Sequence, residues 1–177
     1  KGDPQGWELV LNGGGKLSFA VHSAKPKKEM IRVTTRNSIA KPGAWVHVAA
    51  TYDGSGKNEG LQLYVNGAFN DGSRQGTPLT GSTRSDSSLF IGQRPNKANH
   101  LTDGAVQDVR VYGRRISTGE VKTLAQLADL RNDTSVAFDK RNQQQKDRLT
   151  NYYLENVDPE YGKAVDKQQQ LEDEQKA

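Results

Sequence analysis

The chain of 177 residues contains no cysteine. That excludes disulfides, thiolate metal sites, a thiol nucleophile and the attachment of c-type haem. It also holds no apolar run near the roughly 20 residues needed to cross a bilayer, and its opening residues do not have the basic, apolar and small-residue order of a signal peptide. Membrane insertion is therefore not expected. Hydrophobic residues reach only 33% and methionine occurs once, yet a chain of this length can still enclose one core and bury roughly 70% of its unfolded surface. Glycine runs out along the chain: 17 of the 18 precede residue 120 and the last is Gly162. The texture changes there from turn-rich to turn-poor, as for a strand-and-turn domain with an appendage.

Charge changes at about the same place. Residues 1–130 carry 17 Lys and Arg against 11 Asp and Glu, residues 131–177 carry 8 against 10, and the whole chain has a net charge of +4. A surface that tracks phosphates clusters its basic residues and interleaves aromatics. The local cluster of Lys25, Lys27 and Lys28 reads instead as a solvated loop, and no nucleic-acid partner is expected.

What is present is a series of short β-rich runs bounded by turn residues. Trp7 to Leu11 and Lys16 to His22 flank Asn12-Gly13-Gly14-Gly15 and read as a hairpin. Met30 to Thr35 alternates through Ile31 and Val33. Trp45 to Tyr52 comes after the turn Lys41-Pro42-Gly43 and places Val46, Val48, Ala50 and Tyr52 on one face. Leu61 to Val65 alternates with Leu61, Leu63 and Val65 inward, and Asn66-Gly67 is a strong hairpin signal. Further runs at Leu89 to Ile91 and Val106 to Tyr112 complete an expected antiparallel β-sandwich. After Ser117, an N-cap with Glu120 at the capping-box position, Val121, Leu124 and Leu127 fall at helical spacing. Helices are predicted over Gln143 to Asn156 and from Pro159 onward, where Asp158-Pro159 fits a cap with proline at the first helical position.

Pro42-Gly43-Ala44-Trp45-Val46-His47-Val48-Ala49-Ala50-Thr51-Tyr52-Asp53-Gly54, then Leu63-Tyr64-Val65-Asn66-Gly67, Ile91-Gly92 and the run from Gly104 to Ser117 together resemble the laminin-G-like, concanavalin A-like lectin/glucanase superfamily. The resemblance covers roughly residues 7–128. It implies a mainly β fold, a concanavalin A-like jelly roll over residues 1–130, with a helical connector over residues 131–177. The segment from Gln145 to Tyr161 is similar to the stretch after an inserted domain of this kind in large planctomycete-type multi-domain c-type cytochrome proteins. That likeness implies an exported setting, periplasmic or extracellular, with other domains or cleaved parts of the same protein as partners. The family strands usually ahead of Trp7 have no counterpart, so the resemblance implies that they were cut away or come from another polypeptide.

For chemistry, glycosidases on related sandwiches need two carboxylates about 5–9 Å apart. Glu8 stands between Trp7 and Leu9, Asp108 has Val106 and Gln107 beside it, and the Glu-x-Asp-x-x-Glu strand of the hydrolytic branches is absent, so no enzyme activity is expected. His22, His47 and His100 share no metal-ligand spacing. No cofactor is expected; Ca²⁺ is the one candidate, through loop carboxylates Asp53, Asp71 and Asp103, with an Asx turn as the alternative role of Asp53. A saccharide site needs an aromatic face with amides or charges beside it. Gln62, Tyr64, Arg110 and Tyr112, all opposite the inward residues of their runs, are the candidate ligand-binding set. The alternative is that another layer covers them. Two functions are compatible with these readings: a non-catalytic module recognising carbohydrate or protein within a larger exported protein, or a structural domain packing against the rest of that protein.

Overall fold

The computed structural model describes residues 5–24, 29–94, 100–161, 163–164 and 167, so the lysine cluster at 25–28 and most of the chain after Tyr161 lie outside the described residues. Two compact units span Lys1–Val121 and Lys122–Ala177. The first is a sandwich of two antiparallel sheets. One sheet has the order β1-β2-β3-β7, from Gly6–Leu11, Leu17–His22, Met30–Thr34 and Ser73–Gly76; the other has β4-β5-β6, from Val48–Tyr52, Leu61–Val65 and Ala68–Asn70.

Alternation decides what each strand buries. Leu17, Phe19 and Val21 of β2 and Ile31 and Val33 of β3 meet Leu61 and Leu63 of β5 in one buried cluster, with Ile39, Val48, Ala50, Tyr52 and Leu79 packed against it. Burying side chains of this size contributes about 1.5–3 kcal/mol each. The β5–β6 turn is the expected one: Asn66 and Gly67 have φ of 50° and 80°, as a two-residue hairpin loop with the favoured twist requires, and the Asn66 side chain accepts the His47 N–H at 3.0 Å.

Three features depart from the sequence pattern. Strand β7 has no apolar member to betray it in Ser73-Arg74-Gln75-Gly76, yet it pairs with β3 in the register Ile31↔Gly76 to Thr34↔Ser73. The runs Leu89 to Ile91 and Val106 to Tyr112, expected as strands, form none. In the second, Asp108 takes a φ of 53° and binds Arg110 through Nε at 2.8 Å and Nη2 at 3.0 Å, which breaks the extended path and leaves Val111 61% exposed. β-propensity reflects packing against neighbours more than any intrinsic preference of the backbone. Finally, Trp7, Leu9 and Leu11 lie in register with the core residues Val21, Phe19 and Leu17 yet remain exposed, Trp7 by 50%. The facing sheet has three strands against four.

Helix α1 spans Thr118–Ser135. Its expected cap is present: Glu120 N–H donates to Ser117 Oγ at 3.2 Å and Ser117 N–H donates to Glu120 Oε2 at 2.8 Å. In the second unit, α2 covers Gln143–Asn156 as predicted and opens with a capping box between Asn142 and Gln145. The buried Asp133 of α1 accepts Arg148 Nε at 2.6 Å and Gln145 Nε2 at 3.1 Å, a charge-assisted tie between the end of one helix and the start of the next.

Candidate functional site: a polar groove on the four-stranded sheet

The register of the larger sheet aligns its outward residues in rows. Glu8, Ala20, Arg32 and Gln75 form one row across all four strands, and Val10, Ser18, Thr34 and Ser73 form the next. With strands about 4.8 Å apart, each row is about 14 Å long. Ala20 is the small member at the centre of its row and is buried. Between these residues, Asn12 and Arg94, the surface dips into a groove of about 370 Å³.

Glu8 organises its charges. Arg94 Nη2 donates to Glu8 Oε2 at 2.9 Å, Arg32 Nη2 lies 3.6 Å from Oε1, and His22 Nε2 lies 3.7 Å from the same oxygen. At that last distance the contact is an electrostatic approach rather than a hydrogen bond. His22 beside it, with Arg94 and Arg32, holds the Glu8 carboxyl below its usual range against the opposing effect of burial. Arg32 Nε and His22 Nε2 are buried beneath these contacts without a hydrogen-bond partner. Ser18 Oγ, by contrast, already accepts from Thr34 Oγ1 at 3.0 Å.

The described lining, with Arg32, Arg94, Asn12, Gln75 and Ser73, is rich in polar groups and holds no aromatic residue. The groove can hold a polar ligand by hydrogen bonds and charge. Its described lining has one carboxylate, Glu8, whereas glycoside hydrolysis needs a pair.

The candidate set from the sequence lies outside this groove, and its central aromatic, Tyr64, is buried. Tyr64 is 1% exposed; its hydroxyl donates to Gln62 Oε1 at 2.7 Å and lies 3.2 Å from Thr118 Oγ1. Its ring meets Phe69 edge-on at 6.0 Å. Arg115 Nη2 donates to the same Gln62 oxygen at 2.6 Å. Arg110 is engaged by Asp108, and Tyr112 is exposed. The inside/outside alternation of β5 fails at Tyr64 because the outer side of that strand is itself covered at this residue.

Of the candidate Ca²⁺ carboxylates, Asp53 accepts the Ser55 N–H at 2.8 Å in an Asx turn, Asp71 is held by Arg36 and Arg74, and Asp103 sits at a φ of 54°. Among the described residues no group of three or more His, Asp or Glu could hold a metal ion. Burial pushes the His47 imidazole below its ordinary value, and its Nδ1 has no hydrogen-bond partner. No described helix is long and apolar enough to cross a membrane.

Sequence reasoning passes over the groove because its residues are scattered over β1, β2, β3, β7 and a loop. The signal that could reveal it is the outward alternation of Ser18, Ala20 and His22 with Arg32 and Thr34, once β2 and β3 are paired.

No curated protein matches the chain. A solved structure described as the S-layer domain-containing protein (residues 221–444) of Clostridium thermocellum ATCC 27405 is similar at 23% identity and a TM-score of 0.38, over 71% of this chain and 65% of that one. The model of a family described as the concanavalin A-like lectin/glucanases superfamily matches residues 1–122. That match spans both antiparallel sheets of the sandwich, and the chain belongs to the concanavalin A-like lectin/glucanase superfamily.

Proposed function

We propose that the chain is a non-catalytic recognition module of a larger exported protein, and that its groove binds a saccharide chain. The observation that carries this reading is the polar lining of Glu8, Asn12, Arg32, Ser73, Gln75 and Arg94 around a dip of about 370 Å³ on a four-strand face. Side-chain hydrogen bonds to a ligand rich in hydroxyls contribute about 0.5–1.5 kcal/mol each, and more where the donor is a guanidinium. Ring stacking is absent, so affinity rests on hydrogen bonds and falls in the weak range typical of small polar contacts. The test is glycan-array screening of residues 1–177, then titration calorimetry of the hits with Gln75→Ala and Arg32→Ala. Loss of binding in these variants, with unchanged melting, is expected. Hits that bind both variants as tightly as the parent would place recognition elsewhere.

A second reading, in which the domain packs against other parts of its own protein, is favoured by the exposed stripe Trp7, Leu9 and Leu11 on the core side of β1. Exposed apolar patches of this kind mark contact surfaces. A Trp7→Ser, Leu9→Ser variant should self-associate less than the parent by analytical ultracentrifugation while keeping the groove intact; identical sedimentation argues against this reading.

A further inference from the structure

Among the described residues lining the groove the charges do not balance. Glu8 supplies one negative charge, and two guanidinium groups reach it, Arg94 at 2.9 Å and Arg32 at 3.6 Å. Arg94 is 47% exposed at its side chain and comes from a loop, so it can be approached from solvent. Arg32 keeps Nε unpaired. Guanidinium forks bind planar carboxylates with a geometry that ammonium and hydroxyl groups cannot match. Glu8 shows that a carboxylate fits between these two arginines, because its own is there.

From these contacts, and resting on the saccharide reading of the groove, the geometry points to an acidic saccharide as the ligand class: a sugar chain whose uronate carboxylate binds Arg94 and Arg32 in competition with Glu8. A neutral sugar leaves the second guanidinium uncompensated. A uronate neutralises it. Glu8 then acts as an internal competitor that holds the arginines extended in the empty groove and repels a ligand of like charge.

The experiment measures binding of the full chain to oligogalacturonate, to the same oligomer fully methyl-esterified, and to a sulfated galactan, all by calorimetry at two salt concentrations. The acid form is expected to bind at least about tenfold more tightly than the ester, the value of one charge-assisted contact, with the sulfated chain weaker than the uronate. Arg94→Gln, on an exposed side chain whose removal leaves the sheet intact, is expected to abolish the preference for the acid, and Glu8→Gln is expected to strengthen acid binding without affecting the ester. Arg110→Gln, outside the groove, controls for general attraction of polyanions to a chain of net charge +4. Equal binding of acid and ester overturns the acidic class and leaves the saccharide reading standing. Equal binding of uronate and sulfate, or equal losses in Arg94→Gln and Arg110→Gln, reduces recognition to net charge and overturns the site. Weaker acid binding in Glu8→Gln overturns the competitor role. Failure of these chains and of the whole glycan array to bind removes the saccharide reading as well.

Discussion

Replacing Tyr64 separates a packing role from a ligand role. Tyr64→Phe removes a 2.7 Å hydrogen bond to Gln62 and a 3.2 Å contact with Thr118. Gln62 Oε1 keeps Arg115 at 2.6 Å, so no buried acceptor is orphaned and the loss stays near the net worth of the bonds, about 1–2 kcal/mol in total. Tyr64→Ala also removes a ring that is 1% exposed and packed on Phe69, a truncation that typically costs about 3–5 kcal/mol. In urea unfolding monitored by tryptophan fluorescence, with a slope of about 2 kcal/mol per molar, the phenylalanine variant should lose about 0.5–1 M from its midpoint and the alanine variant about 1.5–2.5 M. An exposed stacking residue behaves differently: either change would stay within about 0.5 kcal/mol of the parent. A Tyr64→Ala midpoint in that narrow range would refute the packing role.

The remaining predictions concern the edge strand and the helix cap. At Gly76 the backbone has a φ of +107°, and an added Cβ would sit 1.8 Å from Met30 O; Gly76→Ala should therefore cost more than about 1 kcal/mol in the same unfolding assay and release β7 from β3 in amide exchange, and an unchanged midpoint would mean that β7 does not pair as described. Glu120, held by Arg114 first and by the Ser117 backbone, has its pKa lowered from 4.5 to about 2. Because the folded value lies below the unfolded one, its stabilisation is complete above about 4.5 and is lost as pH falls through about 2. A carboxyl NMR titration should show a midpoint near 2, and Arg114→Ala should return it toward 4.5; a parent midpoint near 4.5 would break the assignment.

The fold was legible where local chemistry and packing agree. Leu61 to Val65 with Asn66-Gly67 carried both a period of two and a turn that only certain residues adopt, and both ends of β5 fall where the pattern put them. The helix Gln143–Asn156 falls where the run of strong helix formers put it, and the capping box of Asn142 and Gln145 that fixes its start is seen only in the structure. Val106 to Tyr112 had the same alternation but found no partner strand, and Asp108 turned toward its own neighbour Arg110 instead. The site was much less legible. Tyr64 and Gln62 were placed on the correct side of β5, but alternation says only that two residues share a face, not whether that face meets solvent. Glu8, Arg32, Gln75 and Arg94 become neighbours only through pairings between residues far apart in sequence, which leave no local trace.

On β2 and β3 the residues that hold the sandwich together and those that form the groove occupy alternate positions: Leu17 and Phe19 beside Ser18, Val33 beside Arg32 and Thr34. Substitution can therefore re-tune recognition one residue at a time without touching the core, so the face is open to rapid divergence between relatives. Insertion or deletion is another matter. One residue gained in β3 ahead of Arg32 would turn Val33 outward and Arg32 and Thr34 inward, losing core and groove at once, so lineages of this domain should vary freely in side chains along these strands while keeping their lengths fixed.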